Sequence, residues 1–175
     1  MPAEPPSVLS VRTLAFWCAV WNAVFLSAVP APARASGDWI WPVVGPVTRG
    51  FDPPASPFGS GHRGIDIAAP VGTPVRAAAA GTVTFAGPVG GRLFVTVDHG
   101  AGLESTYSFL DSIAIRRGDV VSQGQAIARS GTGHSGDIVP GLHFGVKLAD
   151  TYVDPLEYLG PAEVWRFIRL APLES

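Results

Sequence analysis

Two short stretches hold three side chains that suit a single metal ion. In "GSGHRGIDIAAP" His62 and Asp66 stand four residues apart, and in "PGLHFGVKL" His143 sits between a Pro-Gly break and the chain's only lysine, Lys147. Imidazole and carboxylate ligands suit several divalent metals, and in an exported segment without thiols they favour zinc. Two imidazoles and one carboxylate leave the fourth position of a tetrahedral ion to water, as in catalytic rather than structural sites. Water on such an ion has its pKa lowered to about 7, which makes hydroxide available at neutral pH. At the level of residues alone a plainer reading stands beside this one: His143 as a hydrogen-bonded histidine in a sheet.

The spacing then constrains the elements that must carry these groups. Residues four apart share a face on a helix. Here, though, the glycines around His62 and the β-branched Ile65 and Ile67 ahead of Pro70 describe a loop running into a strand. Four extended steps cover roughly 13 Å, too far for both side chains to hold one ion, so the chain is expected to turn at Gly64 and fold His62 back over Asp66. In "LHFGVKL", alternation puts Leu142, Phe144, Val146 and Leu148 on one face and His143, Gly145 and Lys147 on the other. His143 thereby leaves the apolar face.

Segments 72–87, 92–100, 103–110, 120–131 and 142–148 are rich in Val, Thr and aromatic residues and are bounded by Gly, Pro or Asp, the pattern of strands joined by turns. "RAAAAG" has helical propensity, but Pro74 and Gly81 confine it, and it reads as an extended segment. Gly72-Thr73-Pro74-Val75 and Gly118-Asp119-Val120-Val121 open two similar stretches, each running through a second glycine into a strand. The expected fold is all-β, an antiparallel sheet core built from a duplicated half-barrel unit. "PAEVWRFIRL" (161–170) fits a short helix or a last strand equally well.

Residues 1–35 read as an export signal: Arg12 precedes an apolar stretch from Leu14 to Val29, followed by Pro30 and a small-x-small site ending at Ala35. The stretch is short for a membrane span of roughly 20 residues, so no stable span is expected after cleavage. The only cysteine, Cys18, lies inside it, so the exported part has neither disulfides nor thiolate ligands. Acidic side chains outnumber basic ones, 14 to 12, and nothing in the sequence suggests the basic face that nucleic-acid binding requires. The expected organisation is a signal peptide (1–35), one β domain (36–160), and a C-terminal tail (161–175) packing on that domain.

"WPVVGPVTRGFDPP", "GHRGIDIAAPVGTPVRAAAAGTVTFAG", "VDHGAGLESTYSFL", "RRGDVVSQGQAIARSGTG", "GLHFGV" and "VDPLEYL", in this order, resemble the lysostaphin-type (LytM-like) zinc endopeptidases that cut peptide cross-links in bacterial cell walls. The resemblance runs from about Trp41 to Leu159. It implies a groove over the metal and places the family's three zinc ligands on His62, Asp66 and His143. It also implies a secreted or wall-associated location and, as partners, the stem or cross-bridge peptides of peptidoglycan.

The chain departs from that family at two positions. A Tyr-x-His-Leu segment becomes Tyr107-Ser108-Phe109-Leu110, and the first histidine of a His-x-His pair becomes Gly141, ahead of Leu142 and His143. Residues i and i+2 share a strand face, so a side chain at 141 is expected beside His143, and glycine is expected to leave that space empty. In the family these two histidines activate the water and stabilise the tetrahedral intermediate. A positioned base is worth about 10²–10⁴ in rate and an oxyanion donor roughly 10²–10³. Some secreted actinobacterial relatives resemble this chain in lacking the first histidine of the pair, and its bias of 11 Arg to one Lys suits such a source.

His134, on the glycine-rich "SGTGHSGD", is a candidate substitute base, with an exposed loop histidine as the alternative. His99 is expected to be structural. Trp39, Trp41, Tyr107 and Phe109 are read either as covering the sheet or as lining a peptide groove, with Tyr107 a groove candidate. Two functions follow as expectations. One is a zinc endopeptidase acting on peptidoglycan. The other is a zinc-binding but inactive protein that binds wall peptides or regulates a partner hydrolase.

Overall fold

The computed structural model describes residues 38–56, 59–134 and 138–160. The expected signal peptide and C-terminal tail lie outside the described residues. Among the described residues, ten strands and one short 3-10 helix (Pro155–Glu157) follow in sequence. β1 (Val47–Arg49), β2 (Ile65–Ala68), β9 (Gly141–Leu148), β6 (Leu103–Ile113), β5 (Arg92–Asp98), β4 (Gly81–Val89) and β7 (Val120–Val121) lie side by side in that order. β10 (Thr151–Val153) pairs with β9, while β8 (Ala126–Ser130) joins β3 (Pro74–Arg76) to β6. Every pairing between these strands is antiparallel. The fold is thus all-β, as the strand-and-turn pattern implies.

Two stretches with similar openings pair reciprocally. β3 lies against β8, and β4 lies against β7, so each half of the repeated Gly-x-x-Val pattern completes the other. The "RAAAAG" segment is not helical: Ala77 donates its N–H to the Gln125 carbonyl, and Ala77, Ala78 and Ala79 are buried under the sheet. The long β4–β5 hairpin closes through Gly90 and Gly91, both at positive φ, the conformation that a two-residue hairpin turn demands.

Alternation decides which residues the sheet presents to the site. Ile65 and Ile67 of β2, Val95 and Val97 of β5, Leu103, Ser105 and Tyr107 of β6, and Leu142, Phe144 and Val146 of β9 face the core and are buried. Their neighbours Asp66, Thr96, Thr106, Ser108, His143 and Lys147 fall on the opposite face. Leu148, expected in the apolar row, is 43% exposed, because it closes β9 at the turn into β10.

β6 carries one irregularity that matters. Leu93 pairs with Leu110 and Phe94 with Ser108, so Phe109 is an extra residue in the ladder. Its φ of 61° is left-handed, a conformation uncommon for a bulky side chain. Such bulges re-aim side chains, and this one turns Phe109 to the same face as Ser108, where both border the cleft.

Candidate metal centre

Asp66 and His143 are directly opposed across β2 and β9. His143 Nδ1 lies 2.8 Å from Asp66 Oδ1. His62, on the loop before β2, reaches the same point, with Nε2 3.0 Å from His143 Nδ1 and 3.1 Å from Asp66 Oδ2. Backbone hydrogen bonds in both directions between His62 and Asp52 hold this loop in place. The His62 ring is oriented by its other nitrogen, which donates to the Gly50 carbonyl at 2.7 Å and so leaves Nε2 as the donor atom for a metal. Nothing in the sequence signals the part played by Gly50, because it acts through its backbone.

His134 enters the same cluster from the segment after β8, its Nε2 3.3 Å from Asp66 Oδ1. The four residues His62, Asp66, His134 and His143 each offer one ligand atom, all within 4.8 Å of one another. Zinc bonds of 2.0–2.1 Å in tetrahedral geometry separate neighbouring ligand atoms by about 3.3 Å. The separations of 2.8 to 3.3 Å from the two Asp66 oxygens lie near that spacing, and no two of the four ligand atoms are more than 4.8 Å apart. The residues therefore fit a divalent ion by donor type and by distance.

The charge states suit a metal as well. Burial opposes ionisation of Asp66, but the hydrogen bond to His143 and the charges of His143, His62 and His134 outweigh it and hold the carboxyl below its ordinary range. Burial lowers the pKa of His143; Asp66 opposes this, while His62 and His134 reinforce it. An ionised carboxylate and a neutral imidazole are the forms that bind a metal.

The cluster borders an open cleft of about 570 Å³. Its walls include Arg49, Arg63, Glu104, Phe109, Lys147 and Tyr152. Arg63 and Lys147 lie over the Tyr152 ring, at 5.9 and 5.1 Å from its centre.

The placements of Tyr107, Gly141 and Gly64 correct the expectations from sequence. Tyr107 is not in the groove: it is fully buried, and its hydroxyl accepts the Ala78 N–H at 2.7 Å. The strand phase that puts Ser108 on the cleft face puts Tyr107 in the core. Gly141 does not leave room for a histidine, because a Cβ there would lie 2.5 Å from the Ile67 carbonyl oxygen. Gly64 is required by close approach rather than by a left-handed turn: a Cβ would collide with the Phe144 carbonyl oxygen and sit 2.9 Å from His143 Nε2. Trp39 is buried against His99 and Tyr158, and Trp41 donates from its indole to the Gly160 carbonyl. Both tryptophans cover the sheet. His99 is buried, donates through Nδ1 to the Ala80 carbonyl and accepts the Ser105 hydroxyl at Nε2, 2.8 Å in each case.

The family model of peptidase family M23 matches residues 60–155, which include all four clustered residues. The uncharacterized lipoprotein YgeR of Escherichia coli (strain K12) is 35% identical over 143 residues, covering 77% of this chain and 53% of that protein. A crystal structure of a zinc containing peptidase from Vibrio cholerae superposes with a TM-score of 0.59 at 30% identity, covering 74% of this chain and 41% of the other. The antimicrobial peptidase lysostaphin from Staphylococcus simulans gives a TM-score of 0.58 at 29% identity, covering 71% and 53%. The chain spans about half the length of these relatives. Among the described residues no helix is long and apolar enough to cross a membrane.

Proposed function

The chain belongs to peptidase family M23, and from that premise we propose that it is an extracytoplasmic zinc-binding protein whose cleft holds peptidoglycan stem or cross-bridge peptides without cutting them. The observation that carries this reading is the pairing of a complete donor set with an incomplete catalytic one. Phe109 occupies one position at which the resemblance calls for a histidine, and Gly141, pressed against the Ile67 carbonyl, occupies the other. A zinc ion held there would supply positive charge beside the cleft. His62, Asp66 and His143 hold it, and the Gly50 carbonyl fixes the His62 ring. Arg49, Arg63 and Lys147 in the cleft suit the free carboxylates of wall peptides.

The export reading belongs to the same proposal: residues 1–35 act as a cleaved signal, and 36–160 form the working domain. Its support is the signal-like composition together with a relative named as a lipoprotein.

Incubation of zinc-loaded protein with purified peptidoglycan, followed by sedimentation and mass analysis of the supernatant, tests the proposal. The expected result is metal-dependent co-sedimentation with no peptide fragments released. Fragments that disappear on chelation or with His143→Ala would replace it with the second reading, a zinc endopeptidase, which the intact donor set and open cleft favour. Stimulation of an added wall hydrolase would extend the proposed role to that of a regulator.

A further inference from the structure

We infer that His134 is a fourth protein ligand of the metal centre, so that the ion is enclosed by three imidazoles and one carboxylate. The inference rests on the proposal that the cluster binds a metal, and it concerns how many of the chain's own groups do so.

A general base and a ligand stand at different distances. A base acts on metal-bound water from one hydrogen bond beyond the ion, whereas a ligand sits about one tetrahedral edge, roughly 3.3 Å, from its neighbouring ligands. His134 Nε2 is 3.3 Å from Asp66 Oδ1, the edge distance. Its ring centre lies 5.2 Å from that of His143 and 5.8 Å from that of His62, and the ligand atoms of the three imidazoles and Asp66 all lie within 4.8 Å of one another.

What holds His134 there is a stack that uses the substituted family position. The Phe109 ring lies against His134, with centres 4.2 Å apart and planes inclined at 55°. Arg92 covers the Phe109 ring at 5.0 Å and donates to the Gly133 carbonyl at 2.7 Å, tying the residue before His134 to the same stack. Phe109 presents its ring from the left-handed bulge of β6. The side chain that displaces a catalytic histidine is thus the one that packs a new imidazole onto the cluster. Closed four-coordinate spheres are the mark of structural zinc sites, and an open position is the mark of catalytic ones.

Cobalt(II) substitution of the full chain tests this without relying on activity. Imidazoles bound to cobalt give exchangeable N–H proton resonances shifted far outside the normal spectrum. Three such signals are expected in the wild type and two in His134→Gln. Azide is expected to leave the visible spectrum of the wild-type cobalt protein unchanged and to alter that of His134→Gln, where a position has opened. Zinc retention by the variant is expected to fall by at least the roughly 10- to 100-fold that an outer partner of a metal site is worth.

Two shifted signals in the wild type, or an azide response equal in both proteins, would overturn the inference while leaving the metal centre standing. No retention of cobalt by the wild type would overturn the centre itself and the inference with it. Because the wild-type spectrum alone counts the ligands, misfolding of the variant would not remove the test.

Discussion

The Asp66 carboxylate and the His143 imidazole are a cross-strand pair, 2.8 Å apart on directly opposed positions of β2 and β9. One carboxylate thus sits within 3.3 Å of all three neighbouring imidazoles. Asp66→Asn preserves shape and removes the charge. The expected outcome is a loss of zinc affinity greater than the roughly 10- to 100-fold attached to outer partners, read by competition with a chromophoric chelator, with the far-ultraviolet circular dichroism of the sheet unchanged. Retention of wild-type affinity would contradict the placement of Asp66 at the centre of the donor set.

Restoring the absent histidine at position 141 should harm the protein rather than revive it. A Cβ would stand 2.5 Å from the Ile67 carbonyl oxygen, so β2 and β9 must separate to admit any side chain. Gly141→Ala should cost about 1–3 kcal/mol, the usual penalty for overpacking, and Gly141→His at least as much. Urea denaturation of the metal-free proteins measures this, and an unchanged midpoint for Gly141→Ala would show that the strands yield freely.

Tyr107 is predicted to act on stability alone. Its hydroxyl accepts the buried Ala78 N–H, and Tyr107→Phe strands that donor at a cost of about 1–3 kcal/mol. Burial pushes the phenol up to about 12, against the hydrogen bonds with Ala78 and Ser105, so it stays neutral throughout the range in which the protein is handled. Zinc affinity and peptidoglycan binding should be unaffected. A loss of wall binding at unchanged stability would return Tyr107 to the groove.

Acid should weaken the fold partly through His99. Burial lowers its pKa, with the Ala80 hydrogen bond and Asp98 opposing. As pH falls below the ordinary value of 6.5, the unfolded chain takes up this proton before the folded one does. The stability associated with His99 is therefore complete above that value and declines below it, toward the folded-state pKa. Unfolding midpoints of metal-free wild type and His99→Gln at pH 7.5 and 5.5 should differ in their acid decrement, with the larger decrement in the wild type. Equal decrements would exclude His99 as a source of acid sensitivity.

The legible part of the site was the part that follows from alternation. "HRGID" and "LHFGVKL" each place a polar side chain on the face opposite a buried apolar row, and the structure sets Asp66 and His143 opposite one another on neighbouring strands. The all-β architecture follows from the same short, turn-bounded segments. What escaped depends on neighbours distant in sequence. The phase of β6 near the cleft changes at the Phe109 bulge, and without that bulge in view Tyr107 reads as a groove residue. Gly141 and Gly64 look like open space or a hinge until the carbonyls of Ile67 and Phe144 are placed against them. β1 and β10 are three residues each, too short for any periodicity to show.

The two strands that carry Asp66 and His143 are hydrogen-bonded neighbours, and both also carry fully buried residues of the apolar core. Folding therefore convenes these donors whether or not an ion is present. Small domains nucleated by zinc assemble around their metal; in the function proposed for this chain, capture of an ion would instead follow the pairing of strands that the apolar core already holds together. Occupancy would then report the free metal around the folded molecule rather than conditions during its synthesis.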